Sequence, residues 1–184
     1  MVISYTDRLE KPMVLTTKEV LICSFTVIMM AILSQITIPI WPVPINTTHI
    51  AIFVAACLLT PKMVVISHCM FLALGIVGLP VFSNFGFGLA TLLGPTGGFL
   101  LGYIFCALVV SVLSKRSNTS FFLARSMAIG LLVNYVFGIS FLMLVLRVDI
   151  FQALLFGFFP FIIGDTVKII FSIMLVKRIR KTLI

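Results

Sequence analysis

The chain has 184 residues, 61% of them hydrophobic and 10% charged, with a formal net charge of +8. Its mean hydropathy of +1.29 excludes a soluble domain, which carries about 25% charged residues and could not hide this much apolar surface. The basic residues cluster beside the apolar runs, where they set orientation in a bilayer, and do not form a nucleic-acid patch. An all-α integral membrane protein with about six transmembrane helices is expected, a single membrane domain over residues 1–184 with no room for a second, soluble one.

Residues 1–19 mix both signs of charge and precede an apolar run without a small-residue cleavage site, so a retained first helix is expected rather than a removed signal peptide. That first helix is predicted over residues 20–38, with Ser34, Gln35 and Thr37 gathered at its far end. Pro39, Pro42 and Pro44 then forbid helix and favour an extended segment, in which Trp41 suits a membrane interface. Asn46, Thr47 and Thr48 can each cap the second helix, predicted over residues 46–60; His49 follows them. The third is predicted over 63–79. Both are short for a crossing, so at least one is expected to tilt or to stop where a cavity begins. His68, among apolar neighbours, reads as a hydrogen-bonded core residue.

From Gly78 to Gly88 the helical pattern fails, and the uncharged stretch with Phe82, Phe85 and Phe87 continues to Gly97-Gly98. A plain linker would be shorter and more polar, so this loop is read as a lid or pocket wall dipping into the bundle. Pro95 fits the first turn of the fourth helix, predicted over 96–114, where the Gly97 and Gly98 amides could face a polar ligand. Gly94, Gly98 and Gly102 form a four-residue ladder, echoed by Ser126, Gly130, Asn134 and Gly138 in the fifth helix, predicted over 124–146. Small residues at this spacing allow close helix packing. Asn134, an amide at mid-helix, should face the interior and bond another helix or a guest.

The sixth helix, predicted over 150–176 and interrupted by Gly157 and Pro160, holds Asp165 and Lys168 as the only charges between Phe151 and Val176. One such charge at mid-bilayer costs about 2.5–3.5 kcal/mol. Three residues apart they share a helix face, so they can neutralise each other or hold a guest of mixed polarity between them. Counting Lys and Arg, one set of helix ends holds Arg8, Lys11, Lys18, Lys62, Lys115, Arg116, Arg125 and the C-terminal cluster, the other only Arg147. Both termini are therefore expected in the cytoplasm, with the proline-rich and glycine-rich loops together on the outer side. Cys23, Cys57, Cys69 and Cys106 lack metal or redox spacing and read as packing residues. No Walker A, Gly-x-Ser-x-Gly or His-Glu-x-x-His pattern occurs, so neither an enzyme nor a built-in ATP motor is expected.

Gln35, Pro42-Val43-Pro44-Ile45, Gly78-Leu79-Pro80-Val81-Phe82, Gly94-Pro95-Thr96-Gly97-Gly98 with Leu101-Gly102, and Gly164-Asp165-x-x-Lys168 occur in that order. Together they resemble the BioY family, the biotin-specific substrate-binding component of energy-coupling factor (ECF) transporters. The resemblance spans nearly the whole chain. It implies a six-helix bundle in the inner (cell) membrane with a ligand cavity open to the outer side. It also implies a transmembrane coupling subunit and two ATPase subunits as partners, with biotin as transported substrate and no cofactor. A second copy of the chain is a further partner to test. By resemblance Asp165 and Lys168 contact the ligand, Asn84 is the polar contact of the loop, and Gly97 and Gly98 match the start of the fourth helix. The chain departs from the pattern at Phe99, where relatives often carry an aromatic hydroxyl, and at Thr47-Thr48, where they often carry Leu-Gln; Thr48 is kept as a candidate contact. Cys23, Val27 and Ala31 are the nearest substitute for the family's small-residue docking stripe. As a mechanism, Asp165 can accept ureido N–H groups and Lys168 can pair with the valerate carboxylate. Because biotin is longer than the spacing of the two Cβ atoms, either Lys168 extends away from Asp165 or the two act on one end and another group holds the other. The alternatives are a stand-alone secondary carrier with Asp165 as proton site, and a structural subunit whose ion pair only fixes packing.

Overall fold

A computed structural model describes residues 15–183; Arg8, Lys11 and most of the segment that bears on a cleaved leader lie outside them. The chain forms α1 (Thr17–Gln35), β1 (Thr37–Ile38), β2 (Ile45–Asn46), α2 (Thr48–Leu58), α3 (Pro61–Val77), α4 (Gly88–Leu93), α5 (Gly97–Leu113), α6 (Ser120–Leu146), α7 (Ile150–Gly157) and α8 (Phe161–Leu183). Local chemistry sets the boundaries. Thr16 and Glu19 close a reciprocal capping box on α1. Thr60 with Pro61 opens α3, and Gly78 ends it in a left-handed conformation at φ 112°. Thr119 caps α6 and Asp149 caps α7.

Helices α1 and α6, of 19 and 27 residues, are long and apolar enough to span a membrane, and α7 with α8 makes a third span bent by 46°. The bend falls at Phe158–Pro160, where proline withholds a helical N–H. α2, α3 and α5 are apolar but shorter. Helix α8 continues through Lys177–Lys181, past the predicted end at 176. The glycine-rich stretch was expected to be non-helical throughout, but Gly88–Leu93 forms α4. Pro95 lies in the turn before α5 and not in its first turn, so Gly94 is outside that helix.

α2 is the hub, packing on α8, α5 and α1, while α5 and α6 form the most extensive helix pair. The glycine ladders explain that pair. A Cβ on Gly98 would meet Phe141 and the Phe137 carbonyl, one on Gly130 would meet Val110 and Cys106, and one on Gly138 would meet the Phe99 ring. His68 is buried, its Nδ1 2.7 Å from the Val64 carbonyl. Cys23, Cys57 and Cys106 are buried, whereas Cys69 is exposed. The α1 stripe is also not free for docking: Cys23 and Val27 are buried, and the Cys23 thiol faces the Met63 carbonyl of α3.

The proline-rich segment is a hairpin, with Thr37 paired to Asn46 and Ile38 to Ile45. The glycine-rich loop folds against it at the same end of the bundle. Phe82 is buried on Phe71, its ring occupying the place of a side chain on Gly75. Gln35 holds the loop from α1: its Nε2 donates to the Pro80 and Phe82 carbonyls, and its Oε1 accepts from the Phe85 amide at 2.9 Å. Ser34 adds a bond to the Val81 carbonyl at 2.5 Å. These contacts hold Asn84 and Phe85 at φ 57° and 56°, a left-handed conformation that asparagine tolerates and that phenylalanine adopts only when its surroundings enforce it. At the opposite end, Arg180 donates to Asn118 and to the Cys57 carbonyl, and Lys177 to Ser120.

Candidate functional site

The break before α8 leaves the first turns of that helix facing the space beneath the two loops. A narrow cavity of about 60 Å³ lies there, smaller than the roughly 300–1,000 Å³ of a site filled by a drug-sized ligand. α6 and α8 contribute Asn134, Tyr135, Phe161, Asp165 and Lys168, while α2 and α5 contribute His49, Phe99, Leu100 and Tyr103. The hairpin and the loop close it with Val43, Pro44, Asn46, Phe82 and Ser83, and Thr91 and Thr96 complete the wall.

Asp165 and Lys168 are 4% and 6% exposed and form an ion pair of 2.7 Å between Oδ1 and Nζ, one helical turn apart. The second carboxylate oxygen accepts a hydrogen bond from the Tyr135 hydroxyl of α6. The cluster is therefore neutral overall and cross-linked between α6 and α8. Removing one partner would leave a charge unpaired in a poorly hydrated place, which costs about 3–5 kcal/mol. Each carboxylate oxygen retains a lone pair, so Asp165 can still accept from a guest.

The rest of the wall is aromatic with neutral polar groups. Phe99 and Phe161 stack at 6.5 Å, Tyr135 stands edge-on to Phe158 at 4.9 Å, and His49 edge-on to Tyr103 at 5.1 Å. Asn46 donates to Ser83 at 2.7 Å and to the Tyr103 hydroxyl at 3.4 Å, joining the hairpin to the loop and to α5. Its Oδ1 accepts from the Thr48 amide at 3.2 Å, so of the three capping candidates Asn46 satisfies a free N–H of α2.

A second cavity, an apolar groove of about 530 Å³ between α1, α2 and α8, is larger. Its only polar side chain is Thr26, whose hydroxyl is bonded to the Ile22 carbonyl. It offers no group to recognise a polar ligand.

Of the residues singled out in the sequence, Asp165, Lys168 and Asn134 come together in the cavity lining. Asn84, Gly97, Gly98 and Thr48 are not part of it. Asn84 is exposed and accepts from the Thr37 hydroxyl at 2.7 Å, bracing loop against hairpin. Gly97 sits against the Leu92 backbone of α4, and Gly98 against α6. Thr48 is fully buried at the start of α2. Tyr135, Tyr103, His49 and Asn46 were not anticipated as wall residues, whereas Phe82 and Ser83 belong to the loop read as a pocket wall. The available signal was a polar or hydroxyl side chain within an apolar run, as at Tyr135 beside Asn134.

The fold and the site define a multi-pass membrane protein with an aromatic cavity built around one buried ion pair. The family model of the BioY family matches residues 7–184, and the chain belongs to that family. It is 35% identical over 147 residues to the biotin transporter BioY of Thermotoga maritima, covering 79% of this chain and 86% of that one. It is 34% identical over 163 residues to the biotin transporter BioY of Rhizobium etli, covering 83% and 86%. Its structure resembles a crystal structure of the S-component for biotin from an ECF-type ABC transporter, with a TM-score of 0.83 and 28% identity over 98% of this chain and 95% of that one.

Proposed function

We propose that this chain captures biotin from the outer side of the cell membrane and serves in its uptake as the substrate-binding component of an ECF-type transporter. Family membership and the biotin named for its relatives support the substrate. The observation within the molecule that carries the reading is the buried Asp165–Lys168–Tyr135 cluster inside an aromatic cavity. The aromatic wall suits the fused rings and aliphatic chain of biotin, and the polar cluster suits its urea and carboxylate. Asp165 accepts a ureido N–H, Lys168 leaves its 2.7 Å contact with Asp165 and extends along the valerate chain to the carboxylate, and Asn134 supports the wall.

In this reading α1, α2, α3, α5, α6 and the α7–α8 pair are six crossings of one membrane domain. Both termini are cytoplasmic and the cavity opens outward, as the distribution of Lys and Arg favours. The energy comes from a coupling subunit and two ATPase subunits, and the chain itself catalyses nothing. A role for Asp165 as a lone proton carrier is less favoured, because its carboxylate is paired with the Lys168 ammonium and is not an isolated acid.

Binding of labelled biotin to the purified protein tests the reading. Wild type is expected to retain biotin and Asp165→Asn to lose it; a wild type that does not bind would overturn the proposal. Lys168→Ala titrated with biotin and with biotin amide tests the pairing. A loss confined to biotin supports Lys168 at the carboxylate, and an equal loss for both removes that role.

A further inference from the structure

We infer that His49 reads the ligand, its Nδ1–H donating to the ureido carbonyl oxygen; this rests on the biotin reading above. His49 is the second residue of α2, 8% exposed, and lines the cavity. Its ring is held between Tyr103, edge-on at 5.1 Å, and Phe53 at 5.7 Å. Its Nε2 lies 3.2 Å from Nδ2 of Asn134, which is 1% exposed.

The orientation of the Asn134 amide follows from its other neighbour. A Cβ added to Gly102 would fall on Asn134 Oδ1, so that oxygen rests against the Gly102 Cα. A Cα–H group attracts a carbonyl oxygen weakly and repels an NH₂ group. The NH₂ therefore points at His49. Because an amide NH₂ only donates, Nε2 must accept, and a neutral imidazole then carries its proton on Nδ1. An imidazolium would turn two donors toward each other at this contact.

Nδ1 is buried and has no partner among the described residues. A buried donor left unmade is costly, and His49 is part of the cavity wall, so a guest in the cavity is the acceptor assigned to it. The donor is neutral. Biotin has one uncharged oxygen, the ureido carbonyl, and its carboxylate needs a counter-charge. Within the described residues, Lys168 is the buried cation of the cavity. The ureido carbonyl thus falls to His49. Asn134 and Gly102 act as positioning residues that fix which nitrogen holds the proton.

Two measurements test this. In ¹⁵N NMR of protein labelled at its two histidines, with His68→Gln assigning the signals, His49 should show a protonated Nδ1 and a bare Nε2, and biotin should perturb Nδ1. Asn134→Asp, which accepts from Nε2–H, should move the proton and weaken biotin binding. In equilibrium binding, His49→Phe keeps a ring but removes the donor. It should weaken biotin roughly tenfold, the size of one net hydrogen bond, and abolish the preference for biotin over thiobiotin, whose sulfur is a poorer acceptor. His49→Gln, which keeps an N–H, should retain part of that preference. A wild type protonated on Nε2 would overturn the inference. So would an unchanged preference in His49→Phe while Asp165→Asn loses biotin, an outcome that leaves the biotin reading intact. Failure of wild type to bind biotin would remove both.

Discussion

Along the α5–α6 seam, Gly98, Gly102, Gly130 and Gly138 have the neighbouring helix, or a ring packed on it, where a side chain would stand. On the cavity side, α8 turns Asp165 and Lys168 toward open space and ties them back to α6 only through the Tyr135 hydroxyl. Both regions are buried, yet they use burial differently. The seam excludes everything, and its small residues exchange side-chain freedom for backbone contact, which lipid cannot offer. The α8 wall keeps charge in a place where charge is expensive, and its polarity is satisfied just enough to remain stable without a guest. Substitutions in the seam should therefore cost the fold, and substitutions in the wall should cost the ligand, with stability lost as well where one half of the ion pair is removed.

The largest expected effect is Gly98→Val. Its side chain would meet Phe141 and the Phe137 carbonyl, and overpacking of this kind costs about 3 kcal/mol or more. Loss of the monodisperse peak in detergent would check it; a normally folded variant would break the contrast between the two regions. Next comes the pair Asp165→Asn with Lys168→Met. The single Asp165→Asn should lower the midpoint of thermal unfolding by stranding the ammonium, and the double variant should regain that stability without regaining biotin. Recovery of binding by the double variant would show that the charges serve packing alone. Tyr135→Phe should weaken biotin by about tenfold, since a hydrogen bond to a charged group contributes about 1.5–3 kcal/mol and part of that is shared by the free protein. Smallest is Gln35→Ala, which releases the loop from α1. It should speed biotin dissociation a few-fold while leaving the melting midpoint nearly unchanged, and stopped-flow displacement by unlabelled biotin would measure it.

Some of this arrangement is legible in the chain. Asp165 and Lys168 stand out because a charge in an apolar run requires a reason, and the three-residue spacing places them on one face. The glycine ladders announce a close seam, but the start of α1 at the Thr16–Glu19 capping box, ahead of the predicted residue 20, was not read from the chain. Ser34, Gln35 and Thr37 gather at the end of α1, but only the fold shows their purpose, which is to hold the loop at Val81, Phe82, Phe85 and Asn84. Gly97 and Gly98 look like ligand-facing amides from their place before a helix; in the structure they are occupied by α4 and α6.

The sequence alone determined the solvent this protein lives in, the helix-forming runs, and the buried pair, because hydropathy, periodicity and the cost of charge in oil are local quantities. Only the tertiary structure decided that Tyr135 would meet Asp165, that Asn134 would orient His49, and that α4 would interrupt the long loop. Those facts depend on which helices touch and in what rotation, and such contacts join residues 30 and 85 positions apart.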